Sequence, residues 1–369
     1  MPVNSVLLLN SQEEALNFPK GDISLGFCQS CGFIYNLVFD PGLLEYSARY
    51  EATQSFSPSF NAFHRSLAER LVHRYDLRNK EIIEIGCGQG EFLALLCEVG
   101  ENRGVGFDPV YDDKRSNRIS SESTTFIKDY YSEKYAHVDG DFICCKMTLE
   151  HIQDTAKFVG MVGRILKDKS NTIVFFQVPD VVRILRETAF WDIYYEHCSY
   201  FSLGSLARLF RQNGFDIVDL EKDFDDQYLM ITARTGTGKD ASQDSENDLL
   251  SLKQDVANFV EGYQLGLDTW RKRLDVFFQA GKRIVVWGAS SKAVAFLTSL
   301  QITNEIECAV DINPHKAGTY IAGTGQKIIG PEFLREYKPD FVIIMNPIYN
   351  KEIGFMLNNL GVNAKLLTV

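Results

Sequence analysis

Three glycines alternate in the run Glu84-Ile-Gly-Cys-Gly-Gln-Gly90, which directly follows an apolar stretch typical of a buried strand. Glycine permits a tight turn and a close approach of a ligand to the backbone. The N–H groups of the helix that follows can bind polar ligand atoms. Asp108 ends the next predicted strand, where a carboxylate can accept hydrogen bonds from both hydroxyls of a ribose. The pattern predicts a site for a ribose-bearing cofactor.

The spacing of these glycines indicates which cofactor is expected. A dinucleotide site more often has the spacing GxGxxG, whereas GxGxG after an acidic residue is the form used by S-adenosylmethionine-dependent methyltransferases. Asp129 follows the third predicted strand, where adenine contacts lie in that class. The alternative is that the glycines only form a tight turn. We assign these residues to the cofactor site: Glu84, Gly86, Cys87, Gly88, Gly90, Asp108, Asp129 and Lys146.

A second group of reactive side chains lies in residues 190–202, after a predicted buried strand. This segment contains Tyr194, Glu196 and His197, and His151 follows another predicted strand. Ligands of open parallel sheets bind at the carboxyl ends of the strands, so both histidines are expected at one edge. A histidine can remove a proton near neutral pH, and a neighbouring carboxylate can orient it. The assigned catalytic residues are His197, Glu196, His151 and Tyr194. A purely structural corner, with Ser202 as the N-cap of a helix, is the alternative.

A third motif, Gly288-Ala-Ser-Ser-Lys292, again joins a predicted strand to a helix. Lys292 can reach a phosphate there, and the start of the helix favours anions. We assign Ser290, Lys292 and Asn346 to substrate binding. The alternative is a degenerate domain that serves only as one wall of a cleft.

The elements around these motifs alternate between strand and helix, which predicts an α/β fold with parallel sheets and helices on both faces. Residues 1–45 are expected to be irregular. Residues 246–280 are expected to form one long amphipathic helix or a helix pair. The predicted division is an N-terminal segment at 1–57, a cofactor-binding domain at 58–235, a linker and helical segment at 236–279 and a C-terminal Rossmann-like domain at 280–369.

Composition restricts the partners. The chain of 369 residues has a net charge of −11 and no Lys/Arg-rich run, which argues against a nucleic-acid substrate. The start of the chain lacks the basic region of a signal peptide, and no apolar stretch reaches the roughly 18 residues that a membrane span needs. We therefore expect a cytoplasmic protein without a membrane partner. The eight cysteines do not resemble a disulfide framework.

Together these motifs resemble the sugar C-methyltransferases of deoxysugar pathways. The resemblance rests on a CxxCG segment at Cys28 and Cys31, the Glu84–Gly90 turn, Glu196-His197 and the turn ending at Lys292. It implies a class I methyltransferase Rossmann-like core, a second C-terminal Rossmann-like domain and S-adenosylmethionine as cofactor. It also implies methylation of the carbon next to the ketone of a nucleotide-linked keto sugar.

The resemblance further implies individual roles. His197 would remove the proton next to the carbonyl, His151 would stabilise the enolate oxygen, and Glu196 and Tyr194 would line the pocket. Methylation of oxygen or nitrogen on a small molecule is an alternative, and so is a non-catalytic module that binds the cofactor. The oligomeric state stays open.

Zinc is also left open, because the family's N-terminal domain usually has two cysteine pairs and this chain has only Cys28 and Cys31 before residue 80. A structural zinc site prefers four ligands. His64 is a candidate third ligand, and no fourth is evident.

Overall fold

The N-terminal part of the chain contains short regular elements. The computed structural model describes residues 1–112 and 122–369. Within the first 45 residues it contains helix α1 (Gln12–Leu16) and strands β1 (Leu25–Phe27) and β2 (Ile34–Asn36). The expectation that residues 1–45 are irregular is therefore wrong for these elements, which are too short to produce a periodic apolar pattern.

The first α/β unit is built on a seven-stranded sheet with the order β5-β4-β3-β6-β7-β10-β9. Strand β10 runs antiparallel to both of its neighbours, and the other pairings are parallel. The predicted alternation of strand and helix is thus confirmed here. In chain order the elements are α2 (Pro58–Arg74), β3 (Glu81–Ile85), α3 (Glu91–Gly100), β4 (Arg103–Phe107), β5 (Thr124–Ile127), β6 (Phe142–Lys146), α4 (Thr155–Ile165), β7 (Ile173–Pro179), α5 (Val181–Arg186), β8 (Ser199–Tyr200), α6 (Leu203–Gln212), β9 (Phe215–Asp223) and β10 (Tyr228–Thr235).

A single long helix leads into the second α/β unit, so the sequence alternative of a helix pair is excluded. The sheet of this unit has five parallel strands in the order β13-β12-β11-β14-β15. Helix α10 was not predicted from the sequence. The elements are α7 (Leu249–Gln279), β11 (Ile284–Trp287), α8 (Ser291–Ser299), β12 (Cys308–Val310), β13 (Lys327–Ile329), α9 (Leu334–Tyr337), β14 (Phe341–Ile344), α10 (Asn350–Leu360) and β15 (Lys365–Thr368).

Both sheets place a glycine turn at the point where the strand order reverses. In the first unit the chain leaves β3 towards β4 and β5 and later returns to β6 on the other side of β3. In the second unit it leaves β11 towards β12 and later returns to β14. Ligands of open α/β sheets bind at such switch points, outside the carboxyl ends of the strands. The topology therefore puts both glycine turns at positions suited to ligands.

The histidine segment, residues 190–202, is held by the N-terminal part of the chain. Strand β8 lies within this segment and pairs antiparallel with β2, which forms a small sheet with the order β1-β2-β8. Ser202 then caps helix α6, and its hydroxyl accepts a hydrogen bond from the Ser205 N–H at 3.1 Å. This cap fixes where the histidine segment ends. The alternative prediction that Ser202 is the N-cap of a helix is therefore correct.

The two α/β units share both an apolar core and a buried ion cluster. Phe190 stacks against Phe296 of α8, with 5.9 Å between the ring centroids. Beside them, Asp192 is buried and accepts from the Lys292 Nζ at 2.6 Å and also from Arg183 of α5. Asp192 therefore links a helix of each unit to the histidine segment.

None of the helices in the described ranges is long and apolar enough to cross a membrane.

Replacement of Asp192 by alanine is expected to destabilise the protein strongly. It leaves Arg183 and Lys292 without their shared counter-ion, and their side chains are only 13% and 22% exposed. Removal of one partner from a buried ion pair typically costs about 3–5 kcal/mol. Urea unfolding would measure the loss. Asp154→Ala is the control, because Asp154 pairs with Lys157 at the surface, where both side chains are mostly exposed, and little change is expected. Equal stability of the two variants would contradict the role of Asp192.

Candidate active site

The first glycine turn uses each glycine differently. Gly86, Gly88 and Gly90 all have positive φ angles, of 69°, 57° and 90°. A Cβ atom on Gly86 would lie 2.1 Å from Thr148 Oγ1, and one on Gly90 would lie 2.3 Å from the Phe126 ring. A Cβ on Gly88 would meet no atom within 4 Å. Gly86 and Gly90 are thus required by packing, whereas Gly88 faces open space in which a ligand can approach the backbone.

Asp108 lies against this turn at the end of β4. One carboxylate oxygen accepts from the Gly88 N–H at 2.8 Å, and the other accepts from the Val110 N–H at 2.9 Å. The side chain is buried, and this burial raises the pKa of Asp108, while the two backbone hydrogen bonds lower it. Asp108 therefore lies at the glycine turn and holds it through two backbone hydrogen bonds.

Glu84 and Lys146 form the buried wall beside the turn. Among the described residues, Glu84 Oε2 has no hydrogen-bond partner. Burial raises the pKa of Glu84, and the nearby Lys146 opposes this shift. Lys146 Nζ lies 2.9 Å from His64 Nε2 and 3.6 Å from the centroid of the Phe92 ring. His64 is thus a partner of Lys146, and its pKa is lowered to about 2 by burial and by that lysine.

Asp129 and Cys87 are the other two side chains assigned to the cofactor site. Asp129 accepts from the Lys134 ammonium at 2.9 Å and from the Tyr135 hydroxyl at 2.7 Å, and these bonds lower the pKa of Asp129. The Cys87 thiol is buried, and burial raises its pKa well above the usual value. Cys87 therefore contributes to the turn through its backbone.

A cavity of about 1790 Å³ connects the two α/β units. Small-molecule pockets usually have volumes of roughly 300–1,000 Å³, so this cavity has room for more than one ligand. Of the residues assigned from the sequence, Gly90, Cys28 and Cys31 are not part of its lining. The assigned residues that line it are Glu84, Gly86, Cys87, Gly88, Asp108, Asp129, Lys146, His151, Tyr194, Glu196, His197, Ser290, Lys292 and Asn346.

The two predicted catalytic histidines are brought together in this cavity. The ring centroids of His151 and His197 are 4.8 Å apart, with the rings at right angles. His197 is buried, and its Nε2 lies 3.1 Å from the Tyr194 hydroxyl. Burial lowers the pKa of His197 well below its usual value, and burial lowers the pKa of His151 to about 4. Both imidazoles are therefore neutral at pH 7.

The carboxylate of Glu196 points to the N-terminal segment. It accepts from the Ser5 N–H at 2.8 Å and from the Asn4 amide at 3.4 Å. The carboxyl group that faces His197 belongs to Glu150, whose Oε1 lies 3.9 Å from His197 Nε2. Glu150 was not among the catalytic residues predicted from the sequence. Its position beside His151, directly after a buried strand, was the available signal.

The side chains assigned to substrate binding already have partners within the protein. Lys292 pairs with Asp192, as described above. The Ser290 hydroxyl accepts from the Lys316 ammonium at 2.5 Å, and the Asn346 amide exchanges two hydrogen bonds with the Gln227 amide, of 3.0 and 2.9 Å. Sequence analysis did not assign Lys316 or Gln227 to the site.

The second glycine turn repeats one feature of the first. Asp311, which follows β12, accepts from the Ala289 N–H and from the Asn313 N–H, each at 2.9 Å. Asp108 makes the same pair of bonds, to Gly88 and Val110. Each unit thus has an acidic residue after its second strand that holds the strand-to-helix turn.

Cys28 and Cys31 do not fit a structural zinc site. Both are partly exposed free thiols. In residues 1–112 and 122–369, one group of three side chains could hold a metal ion, and it consists of Glu150, His151 and His197. His64, the candidate third ligand, instead contacts Lys146. Two cysteines are fewer than the four ligands that structural zinc prefers.

Comparison with known proteins identifies both α/β units. A family model described as a methyltransferase domain matches residues 60–220, and one described as a C-methyltransferase C-terminal domain matches residues 242–363. The C-methyltransferase NovU of Streptomyces niveus is 24% identical over 364 residues, which cover 94% of this chain and 85% of that protein.

Two solved structures also align with part of the chain. The 1,6-didemethyltoxoflavin-N1-methyltransferase of Burkholderia thailandensis is 16% identical and covers 58% of this chain and 99% of its own, with a TM-score of 0.37. An S-adenosylmethionine-dependent methyltransferase of Mesorhizobium loti is 15% identical and covers 45% of this chain and 97% of its own, with a TM-score of 0.36.

The residues of the first unit fit S-adenosylmethionine. The turn is open above Gly88, and Asp108 lies where ribose hydroxyls are bound in such sheets. Glu84 adds a buried carboxyl oxygen without a partner in the described part of the chain. The chain is an S-adenosylmethionine-dependent methyltransferase that joins a methyltransferase domain to a C-methyltransferase C-terminal domain.

Proposed function

We propose that this enzyme methylates the carbon next to the ketone of a nucleotide-linked keto-deoxysugar, with His197 as the base that forms the enolate. One observation carries the proposal: a buried, neutral histidine lies in the same cavity as the cofactor turn. Transfer to a carbon requires removal of a weakly acidic proton, and a neutral imidazole can accept it. The description of the C-terminal family model and the name of the Streptomyces niveus relative support attachment to carbon.

The first unit, residues 58–235, would hold the cofactor. Asp108 is suited to the ribose hydroxyls, and the turn of Gly86–Gly90 is suited to close backbone contact. Lys146 can neutralise the carboxylate at the amino-acid end of the cofactor, and Asp129 lies at the edge of the cavity expected to hold the adenine. When bound, S-adenosylmethionine supplies an electrophilic methyl group.

Proton removal falls to His197. The proton next to the carbonyl moves to His197 Nε2, and the electron pair of the C–H bond shifts towards the carbonyl to give an enolate. The Tyr194 hydroxyl, 3.1 Å from Nε2, keeps the ring in place. Because burial keeps His197 unprotonated at neutral pH, its lone pair is available without prior loss of a proton.

The enolate oxygen would be stabilised by His151. This ring packs at right angles to His197, and its Nδ1 has no partner among the described residues. A ring N–H of His151 can donate a hydrogen bond to the developing negative charge, and such stabilisation is often the largest contribution to catalysis. Glu196 would contribute indirectly, because its hydrogen bonds with Ser5 fix the position of the segment that carries His197.

The second unit, residues 280–369, would bind the nucleotide part of the substrate. Lys292 and the start of helix α8 are suited to a phosphate. Ser290 and Asn346 add a hydroxyl and an amide to the same wall. The cavity of about 1790 Å³ leaves room for a large acceptor next to the cofactor.

Asp108→Asn should weaken binding of S-adenosylhomocysteine at least tenfold, since the ribose hydroxyls lose a charged acceptor. At a concentration of 100 times Kd, this ligand should raise the melting temperature of the wild type by roughly 5 °C. Asp311→Asn is a matched control, because Asp311 holds its own turn through the same two kinds of bond. If S-adenosylhomocysteine stabilises D108N as much as D311N, the ribose assignment is wrong.

His197→Asn should lower the exchange of the substrate's alpha proton with deuterium by at least about 100-fold, because general-base catalysis is lost. Exchange is followed by NMR or mass spectrometry on nucleotide-linked 4-keto sugars. Binding of S-adenosylhomocysteine should persist. His137→Asn is the control, since His137 is an exposed histidine that does not line the cavity. Exchange that continues in H197N would exclude His197 as the base.

Nucleoside diphosphates and nucleotide-linked sugars should add to the thermal stabilisation given by S-adenosylhomocysteine, because they would occupy the other part of the cavity. The added shift is measured at a saturating concentration of S-adenosylhomocysteine, with free hexoses as the control. No added shift with any nucleotide, despite a shift with S-adenosylhomocysteine, would contradict the nucleotide-linked substrate and leave the cofactor assignment intact.

A further inference from the structure

Glu150 is a buried carboxyl group in the active-site cavity to which the proposed reaction assigns no role. Its side chain is 1% exposed. Neither of its oxygens has a hydrogen-bond partner from another described residue. Buried polar groups are nearly always paired, so an unpaired carboxyl in a ligand cavity points to a function. His197 lies beside this carboxyl group, with its Nε2 3.9 Å from Glu150 Oε1.

The other groups around His197 do not provide a counter-charge. His151 is neutral, and the hydroxyl of Tyr194 and the ring of Tyr200 are uncharged neighbours from the histidine segment. Lys292 of helix α8 is a cation that lowers the pKa of His197. The carboxylate of Glu196 is bound to Ser5 and Asn4, as described above. Glu150 is therefore the carboxyl group placed to act on His197.

Glu150 itself faces few other charges. The thiol of Cys198 donates to its backbone carbonyl at 3.6 Å, and Cys145 of β6 lies close enough for its thiol to be affected by the carboxylate. Both thiols are buried, and burial raises the pKa of each, so both are neutral at pH 7. Neither thiol supplies a positive charge, and the basic ring that faces the Glu150 carboxyl is that of His197, with 3.9 Å between Oε1 and Nε2.

We propose that Glu150 is the positioning residue that balances the charge on His197 when His197 takes the substrate proton. This inference rests on the proposed function of His197 as the base. The proton leaves the alpha carbon for Nε2, the electron pair enters the enolate, and the resulting imidazolium faces the Glu150 carboxylate. A buried imidazolium without a counter-ion is strongly disfavoured, so the carboxylate makes the proton transfer energetically accessible.

A metal ion fits the same group of residues less well. The ligand atoms of Glu150, His151 and His197 lie within 4.8 Å of one another. Metal–ligand distances in protein zinc sites are about 2.0–2.2 Å, so two ligands of one ion lie at most roughly 4.4 Å apart. The spacing instead suits a carboxylate and an imidazolium that face each other in a cavity.

The pairing predicts an unusual dependence on pH. Burial raises the pKa of Glu150 to about 8, so the carboxylate form increases as the pH rises towards that value. His197 is already unprotonated over this range because its pKa is lowered by burial. The rate of proton removal should therefore increase between pH 6 and pH 8, in step with the ionisation of Glu150.

The test compares the wild type with Glu150→Gln and Glu150→Asp by NMR of protein labelled with ¹⁵N in its histidine rings. The His197 signals are assigned with His197→Asn. In the wild type they should shift with an apparent pKa near 8, the ionisation of Glu150. The shift should be absent in E150Q and present in E150D. Glu246→Gln, which removes a buried carboxyl that pairs with Arg211 outside the cavity, should leave it unchanged.

Deuterium exchange then tests the role in proton removal. At pH 8, E150Q should exchange the alpha proton at least about tenfold more slowly than the wild type, with a flattened pH profile and unchanged binding of S-adenosylhomocysteine. E150D should recover part of the rate.

The outcomes separate the two proposals. If the His197 NMR signals still shift near pH 8 in E150Q, or do not shift in the wild type, the pairing of Glu150 with His197 is wrong. This conclusion does not depend on whether a substrate is known. Exchange that depends on His197 but is equally fast in E150Q overturns the role of Glu150 alone. Failure of the wild type to exchange any keto sugar, with the NMR shift intact, counts against the proposed function and supports the pairing.

Discussion

Asp192 carries the constraint on which the active-site geometry depends. It lies in the histidine segment and pairs at once with Arg183 of the first unit and Lys292 of the second. A buried charge of this kind is stable only if both partners stay in place. His197 comes five residues later, so its position relative to the cofactor turn is set by the same contacts that join the two units. A cavity formed by both units follows directly from this arrangement.

The two glycine turns use one local solution in two different surroundings. In each unit an acidic residue after the second strand accepts two backbone N–H groups. In the first turn the residue that donates its N–H to the acidic residue is Gly88, which faces open space. In the second turn the corresponding donor is Ala289. In the second unit the Lys316 ammonium donates to the carbonyl of Ala289 and to the Ser290 hydroxyl. The second turn is therefore filled by its own lysine and is less suited to close contact with a ribose.

Much of the fold follows from the sequence, because buried parallel strands produce continuous apolar runs that glycine turns interrupt. The cofactor turn and the meeting of His151 with His197 could be predicted for that reason. Strand β8 could not be predicted, because it is only two residues long and has no apolar pattern of its own. It is a strand because it pairs with β2. The carboxyl group that faces His197 was not assigned from the sequence either. Glu196 is its neighbour along the chain, but adjacent side chains point in different directions, and the group that reaches the ring comes from Glu150, 47 positions away.

The N-terminal segment is fixed against the rest of the molecule by hydrogen bonds. It covers the histidine segment through buried polar contacts. Asn36 donates its N–H to the carbonyl of Cys198 at 2.9 Å, and Ser5 contacts the Glu196 carboxylate. The Ser5 hydroxyl also lies 2.7 Å from the Ser291 hydroxyl in the second unit. The N-terminal segment is therefore anchored at both units through buried polar contacts, and these contacts hold the histidine segment, and with it His197, in position.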